Sequence, residues 1–196
     1  YQRCLRSVEA ALEDGRSLRE VMIWSARQFE AIERRDDQHR KARVILVGEI
    51  YVRNHAFSNQ DIIRRLEGYG LEVEIASFAE WIYYTNWTRL RRTWGRRQYR
   101  RWLGTRVKDS VQRADERRLK APFARLLSHA VEERTADVVS LGHPYINDTF
   151  EGEAVLSVGK AVEAVRRGAS GIVNVMPFTC MPGNIVAGIL GRVSEN

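Results

Sequence analysis

Two short apolar runs on either side of one amphipathic segment constrain the fold of this chain more than any other feature. Arg43–Gly48 is a β-branched run that ends in glycine, which is typical of a buried parallel strand. Ser58 and Asn59 then open a helical pattern that closes near Gly68, and Leu71–Ile75 alternates as a second strand should. Strand, helix and strand in this order predict a βαβ unit and hence a parallel sheet.

The second half of the chain continues the same alternation. Asp137–Leu141 and Gly171–Val175 are predicted strands, Glu151–Arg167 is a predicted helix, and Asn184–Val193 is the last predicted helix. We therefore expect an α/β fold with a parallel, Rossmann-like sheet of about four strands, with helical insertions and an N-terminal helical segment.

Composition shifts divide the chain into two predicted parts. Residues 1–42 have helical periodicity and end in a charged run, 33–41, that we interpret as a linker. Residues 43–196 form the predicted α/β domain, which carries a basic helical insertion at about 78–134. The chain starts inside one helical pattern and stops just after another. We therefore expect a piece that is truncated at both ends.

The cysteine count and the hydropathy pattern bear on location. The two cysteines, Cys4 and Cys180, are too few and too far apart for a disulfide framework, which favours a reducing compartment such as the cytoplasm. Apolar runs stay well short of the roughly 20 residues of a membrane span, so no membrane partner is expected. Histidine and cysteine do not cluster, and a closed zinc site is therefore not expected.

Residues 86–134 are unusually basic for a chain with a net charge of +7. They hold fifteen Lys or Arg against five Asp or Glu, and residues 89–101 alone hold seven arginines. Trp87, Leu90 and Trp94 share one helical face, which favours an amphipathic helix whose arginines are solvated. A surface for a partner protein is the second interpretation. Nucleic-acid binding is the third and least favoured, so nucleic acid is not an expected partner.

Three loops that follow predicted strands hold most of the candidate functional residues. These loops, 48–59, 142–153 and 176–183, should meet at the carboxyl edge of a parallel sheet, where ligands usually bind. The residues predicted to line a pocket at this edge are Glu49, Arg53, Asn54, Ser58, Asn59, His143, Tyr145, Asp148, Glu151 and Glu153.

Each group in this set has two interpretations. Arg53 and its polar neighbours precede a helix N-terminus, which could bind an anion such as a CoA phosphate, or could simply be an N-cap with the arginine paired to an acid. Glu49, His143 and Asp148 could relay protons, whereas capping is the favoured role for Glu151 and Glu153. His143 is otherwise a loop hydrogen-bonder, and Lys160 is expected on the surface.

Three sequence blocks also resemble a known family. VGEIYVRNHAFSN, HPYINDTFEGEAVLSVGKAV and GASGIVNVMPFTCMPG are similar to an uncharacterised domain of bacterial activase-related proteins, in the superfamily of 2-hydroxyglutaryl-CoA dehydratase activators and 2-hydroxyacyl-CoA dehydratases. The resemblance covers about residues 43–196. It implies a fragment of an iron–sulfur, ATP-coupled protein of low-potential electron transfer. The ATP module is not among these residues, so the fragment is expected to be inactive in isolation.

The resemblance also implies a cofactor and partners. Cys180 would be one ligand of a 4Fe–4S cluster in the full-length protein, with the other ligands supplied from outside this chain. The partners would be other domains of the same polypeptide or a dehydratase-type subunit. A buried free cysteine is the alternative for Cys180. The alternative for the whole chain is a noncatalytic α/β domain that binds a protein or an anion.

Overall fold

The computed structural model describes residues 1–33, 41–127 and 133–194. The α-helices are α1 Gln2–Glu13, α2 Leu18–Glu30, α3 Ile50–Asn54, α4 Ile62–Gly68, α5 Phe78–Gly95, α6 Tyr99–Lys120, α7 Thr135–Gly142, α8 Glu153–Arg166 and α9 Met181–Ser194. The strands are β1 Arg43–Gly48, β2 Glu72–Ile75 and β3 Gly171–Val175. Short 3-10 helices lie at Ala121–Phe123 and Asp148–Phe150.

The strands form one parallel sheet in the order β2-β1-β3. β1 lies in the centre, with Val44 opposite Val73 of β2 and opposite Gly171 of β3. Residues 44–47 are buried, as expected for a central strand covered on both faces. The α/β class is confirmed. The predicted bounds of β1 and β3 match, and β2 starts one residue later than predicted.

The fourth predicted strand is wrong, because residues 137–141 belong to helix α7. The helix places Val138, Val139 and Gly142 toward α8, and all three are buried. A strand would have turned Val138 and Val139 to opposite faces of a sheet. The sheet in the described part of the chain therefore has three strands rather than four.

Helix α8 is the centre of the unit that contains the sheet, residues 39–88 and 133–196. Its residues 154–164 are all buried, because α8 packs against α7, α9 and β1. Val155 and Val158 of α8 and Val186 of α9 form a core with Val138 and Val139 of α7. Tyr84 of α5 completes this core, so the first part of α5 belongs to the sheet unit.

A second unit comprises residues 1–38 and 89–132. Helix α2 packs against α1, α6 and the 3-10 helix that follows α6, and the rings of Phe29 and Phe123 lie 6.3 Å apart. The N-terminal helical segment and most of the basic insertion thus fold together. The predicted linker at 33–41 lies almost wholly outside the described residues. In the part of the chain that the structure describes, no helix is long and apolar enough to cross a membrane.

Candidate functional site

The carboxyl ends of β1 and β3 are held together at Gly48. Its φ of +110° lies in the region that favours glycine, and a Cβ on it would lie 2.1 Å from the carbonyl oxygen of Val175. The next amide, of Glu49, donates to that same oxygen at 2.9 Å. The loops that leave these two strands therefore start side by side at one edge, which we call the strand-end edge.

Two carboxylates surround the start of α3, which lies inside the first predicted loop. Glu49 accepts hydrogen bonds from the amides of Tyr51 at 3.1 Å and Val52 at 2.7 Å. Glu153, in the first turn of α8, accepts from the amide of Ile50 at 3.4 Å. The first and second loops thus meet at this point. The orphan amides of α3 are bound by side chains of the protein itself.

Arg53 lies buried beneath the two carboxylates. Its guanidinium donates to the carbonyl oxygens of Gly48 at 3.5 Å and Ser77 at 3.3 Å. Burial lowers the pKa of Arg53, and the negative charges of Glu80, Glu153 and Glu49 oppose that shift. Arg53 therefore has backbone carbonyls as its hydrogen-bond partners, and the acids act on it through their charge. A buried guanidinium bonded to backbone carbonyls is not presented to a dissolved anion.

Glu153 has the opposite shift. Burial raises the pKa of this carboxyl, and the negative charge of Glu49 raises it further. The amide of Ile50 and the charge of Arg53 act in the lowering direction but do not cancel the effect. Glu153 is therefore a carboxyl that binds a proton more readily than usual at the strand-end edge.

The other polar residues predicted in the first loop bond within that loop. Asn54 donates to the carbonyl of Ile50 at 2.7 Å, and Asn59 donates to the carbonyl of Val52 at 2.9 Å. The hydroxyl of Ser58 lies 2.8 Å from the Nδ1 of His55. These contacts fix the loop conformation, and they do not favour a CoA-type anion at this place.

The second loop follows helix α7 rather than a strand. His143 is exposed just beyond α7, and Tyr145 packs against the α7–α8 core. Asp148 lies in the first turn of the 3-10 helix, and Glu151 is exposed just after it. Glu153 connects this loop to the first loop through its hydrogen bond with the amide of Ile50.

Tyr84 was absent from the predicted site. Its hydroxyl accepts a hydrogen bond from the amide of Gly152 at 2.8 Å, which ties α5 to the start of α8. Its ring stacks between Trp81 and Trp87, at 5.7 and 5.9 Å. Burial raises the pKa of Tyr84. The aromatic periodicity of α5 indicated a buried face, but the sequence did not connect it to Gly152.

Lys160 is buried at 7% exposure, so the expectation of a surface lysine was wrong. Its ammonium lies 2.8 Å from a carboxylate oxygen of Glu163 and 3.5 Å from one of Glu80. Glu163 also binds Arg167 at 2.7 Å, and Arg167 binds Glu74 of β2 at 2.6 Å. The charges alternate along this chain, which is buried at Glu80, Lys160 and Glu163 and partly exposed at Arg167 and Glu74.

Cys180 lies half-buried in the third loop, just before α9. Its amide donates to the carbonyl of Pro177 at 3.2 Å, and its carbonyl accepts from the amide of Asn184 at 3.0 Å. Within residues 1–33, 41–127 and 133–194, no three His, Cys, Asp or Glu side chains gather as metal ligands would. In the described part of the sheet unit Cys180 is the one cysteine, so these residues do not provide the donor set of a 4Fe–4S cluster.

Large apolar side chains project into solvent from all three loops. Phe57 in the first loop is 89% exposed and Phe178 in the third is 97% exposed. Phe150, three residues before Glu153, is also exposed. Tyr51 stacks on His55 with ring centroids 4.8 Å apart, while its own ring remains mostly in water. We use the name aromatic rim for five exposed apolar residues of these loops and of the start of α9, four of them aromatic: Tyr51, Phe57, Phe150, Phe178 and Met181.

Comparison with known proteins gave no match to a family model, to a curated protein or to a solved structure. The fold defines the class of this protein as mixed α/β, with a parallel sheet whose strand-end loops hold buried charged residues and exposed aromatic residues. The function is therefore inferred from that edge.

Proposed function

We propose that this chain is a cytoplasmic docking lobe of a larger bacterial redox protein, and that its strand-end edge packs against another domain. The aromatic rim supports this proposal most directly. Phe57 and Phe178 leave nearly their whole side chains in water, and they lie on loops that start from adjacent strand ends. Burial of an aromatic side chain of this size contributes about 1.5–3 kcal/mol, so a covered rim would stabilise an interface substantially.

The polar groups at the same edge favour a protein partner over a small molecule. The carboxylates of Glu49 and Glu153 bind amides of α3, and Arg53 binds backbone carbonyls. A small-molecule site needs convergent polar groups that face the ligand, whereas an interface needs exposed aromatic residues with polar groups around them. The lobe by itself is proposed to be noncatalytic.

The resemblance of residues 43–196 gives this proposal its redox context. In that context Cys180, half-buried next to Phe178, supplies one thiolate to a 4Fe–4S cluster, and the docked domain or a dehydratase-type subunit supplies the other ligands. The outer edges of β2 and β3 carry no strand in the described residues. Further strands from outside this chain would extend the sheet toward the Rossmann-like form.

Iron content tests the redox part of the proposal. In the full-length protein, purified without oxygen, Cys180→Ala is expected to reduce bound iron and the broad visible absorbance, because one ligand is lost. Cys4→Ala is the matched control, since Cys4 is also half-buried but lies in the other unit. Equal iron in both variants, or no iron in the unchanged protein, would refute the cluster.

A docking lobe without a cluster is the second candidate, and the lack of grouped metal ligands around Cys180 in the described residues favours it. The same experiment separates the two candidates. Docking without iron ligation is supported if Cys180→Ala leaves the iron content unchanged and if Cys180 in the full-length protein reacts more slowly with a maleimide than in the isolated chain.

A further inference from the structure

Helix α6 fully buries two polar residues, while three of its aliphatic residues are exposed to solvent. Its fully buried residues are polar, namely Thr105 and Asp109. Asp109 pairs with Arg113 at 3.0 Å, and the hydroxyl of Thr105 donates to the carbonyl of Arg101 at 2.9 Å. A helix that packs on one side only normally buries its apolar side chains there. Trp102 and Leu119 of α6 are partly buried, but Leu103, Val107 and Val111 are exposed.

The outward face of α6 carries a regular apolar ridge. Four side chains at four-residue spacing are each 54% to 58% exposed: Tyr99, Leu103, Val107 and Val111. A step of four residues advances the helix by roughly 6 Å and turns it by about 40°, so these side chains form one continuous ridge of about 18 Å. Trp94, which is also exposed, lies against Tyr99 at 5.8 Å and lengthens the ridge.

Small residues lie beside this ridge. Gly104 and Ser110 are exposed, one on each side of the ridge. The hydroxyl of Ser110 donates to the carbonyl of Arg106 at 2.9 Å, so it presents little polar surface outward. A Cβ on Gly104 would meet nothing within 4 Å. A ridge next to a shallow groove is the shape that accepts another helix, because side-chain ridges pack into grooves.

Basic side chains flank the ridge. Residues 89–127 contain fourteen Arg or Lys and three Asp or Glu, although the whole chain carries only +7. Arg100, Arg106 and Lys108 are exposed, and among the described residues none of the three pairs with a carboxylate. Charged residues beside an apolar seam select a partner with the opposite charge.

We infer that the outward face of α6 binds an amphipathic helix of another protein, one that carries an apolar ridge flanked by Asp and Glu. A second copy of this chain is a poor occupant, because it would bring a second row of arginines against the first. Nucleic acid would neutralise the arginines but would leave Leu103, Val107 and Val111 without a stacking role. This inference concerns the unit that lacks the sheet, so it does not depend on the proposed function of the strand-end edge.

A designed peptide serves as the probe. It is a helical peptide of about 18 residues with leucine at every fourth position and glutamate on both sides. A peptide of the same composition in shuffled order is the control. Fluorescence anisotropy of the labelled peptides is measured with the 196-residue chain and its variants. We expect the designed peptide to bind at least about tenfold more tightly than the shuffled one.

The variants separate the ridge from general charge. The double variant Leu103→Gln and Val107→Gln is expected to bind the designed peptide at least about tenfold more weakly, because the centre of the ridge is lost. Leu12→Gln, at an exposed leucine of α1 in the same unit, is expected to change binding by less than about twofold. Circular dichroism confirms that each variant keeps its helices.

Charge reversal provides a second, independent variant. The double variant Arg100→Glu and Arg106→Glu should bind the glutamate-flanked peptide at least about tenfold more weakly. It should bind a lysine-flanked version at least about tenfold more tightly than the unchanged chain does. Arg19→Glu, at an exposed arginine of α2 in the same unit, should do neither. Rescue by the lysine peptide would locate the effect at the interface rather than in the net charge of the chain.

Several results would overturn this inference. Binding of the Leu103→Gln and Val107→Gln double variant within about twofold of the unchanged chain would remove the ridge from the interface. Equal binding of the shuffled peptide would do the same. A dimer in sedimentation that this double variant dissociates would assign the face to a second copy. Binding of polyuridylate or of phosphatidylglycerol vesicles at the ridge, without binding of the peptide, would assign it to nucleic acid or membrane.

Discussion

At the scale of single residues, the buried cations of the sheet unit act on its stability rather than on ligand binding. Arg53 and Lys160 are both buried: Arg53 donates to backbone carbonyls, and Lys160 lies close to the carboxylates of Glu163 and Glu80. Buried cations of this kind persist only when carboxylates or carbonyls surround them. These residues therefore stabilise the sheet unit, and the exposed residues of the aromatic rim are the ones proposed to bind a partner.

Glu153 gives a pH prediction at this scale. Its pKa is raised in the folded protein, so the folded state binds a proton more readily than the unfolded state does. Stability contributed by this group is present at low pH and is lost as pH rises from its ordinary pKa through the raised folded value. Glu153→Gln should flatten this part of the curve, since the amide oxygen can still accept from Ile50 without a charge.

The measurement is the free energy of unfolding in urea at several pH values between about 4 and 7. Glu67→Gln, at an exposed site on α4, is the control and should leave the curve unchanged. A Glu153→Gln curve parallel to that of the unchanged protein would contradict the raised pKa.

At the scale of elements, the crossing of α7 and α8 depends on one glycine. A Cβ on Gly159 would lie 2.3 Å from the carbonyl oxygen of Val138, which belongs to backbone and cannot move freely. We expect Gly159→Ala to destabilise the sheet unit by about 2–4 kcal/mol, because the two helices must separate within a dense core.

Gly188→Ala is the matched control on α9. It is also a helical glycine of the sheet unit, but a Cβ there would meet nothing within 4 Å. Its expected effect is a stabilisation of about 0.5–1 kcal/mol from helix propensity alone. Similar unfolding midpoints for the two variants would show that the close crossing does not matter.

The buried ion chain gives the next prediction for these elements. Lys160→Met removes the cation between Glu163 and Glu80 and leaves their charges less compensated. We expect a loss of about 3–5 kcal/mol in the free energy of unfolding. Lys41→Met, at an exposed lysine just before β1, should change stability by less than about 0.5 kcal/mol. A cost of similar size in both variants would mean that Lys160 is not held by these carboxylates.

Local patterns predicted some elements and failed for others. β1 and β3 were predictable because their β-branched runs stand alone between helical patterns. Residues 137–141 are also rich in β-branched and aliphatic side chains, yet they form a helix that packs closely on α8 at Gly159, with Val138 and Val139 both buried. That contact lies outside the local window that strand prediction uses.

The candidate site was predictable to a similar extent. The position of Glu49 and Arg53 after β1 follows from the parallel sheet, and so does their proximity to the third loop. The burial of Arg53 did not follow, because the acids that act on it, Glu80 and Glu153, come from distant segments. The aromatic rim could have been noticed as apolar residues in polar loops, but exposure itself is a property of the folded chain.

At the scale of the whole molecule, two units carry different surfaces. The sheet unit presents the aromatic rim, and the other unit presents the exposed apolar ridge of helix α6 with basic residues on both sides. Each surface exposes apolar side chains that an isolated domain would normally bury or replace. The proposed docking at the aromatic rim and the inferred helix binding at α6 thus concern different units of the chain.

The most direct test of the docking proposal is the alkylation rate of Cys180 by a maleimide, measured in a Cys4→Ser background. This half-buried thiol lies at the strand-end edge, so it should react readily in the isolated 196-residue chain. In the full-length protein we expect the rate to fall at least about tenfold, and Phe178→Ser should restore it in part. Equal rates in the isolated chain and in the full-length protein would contradict the claim that this edge is covered by a partner domain.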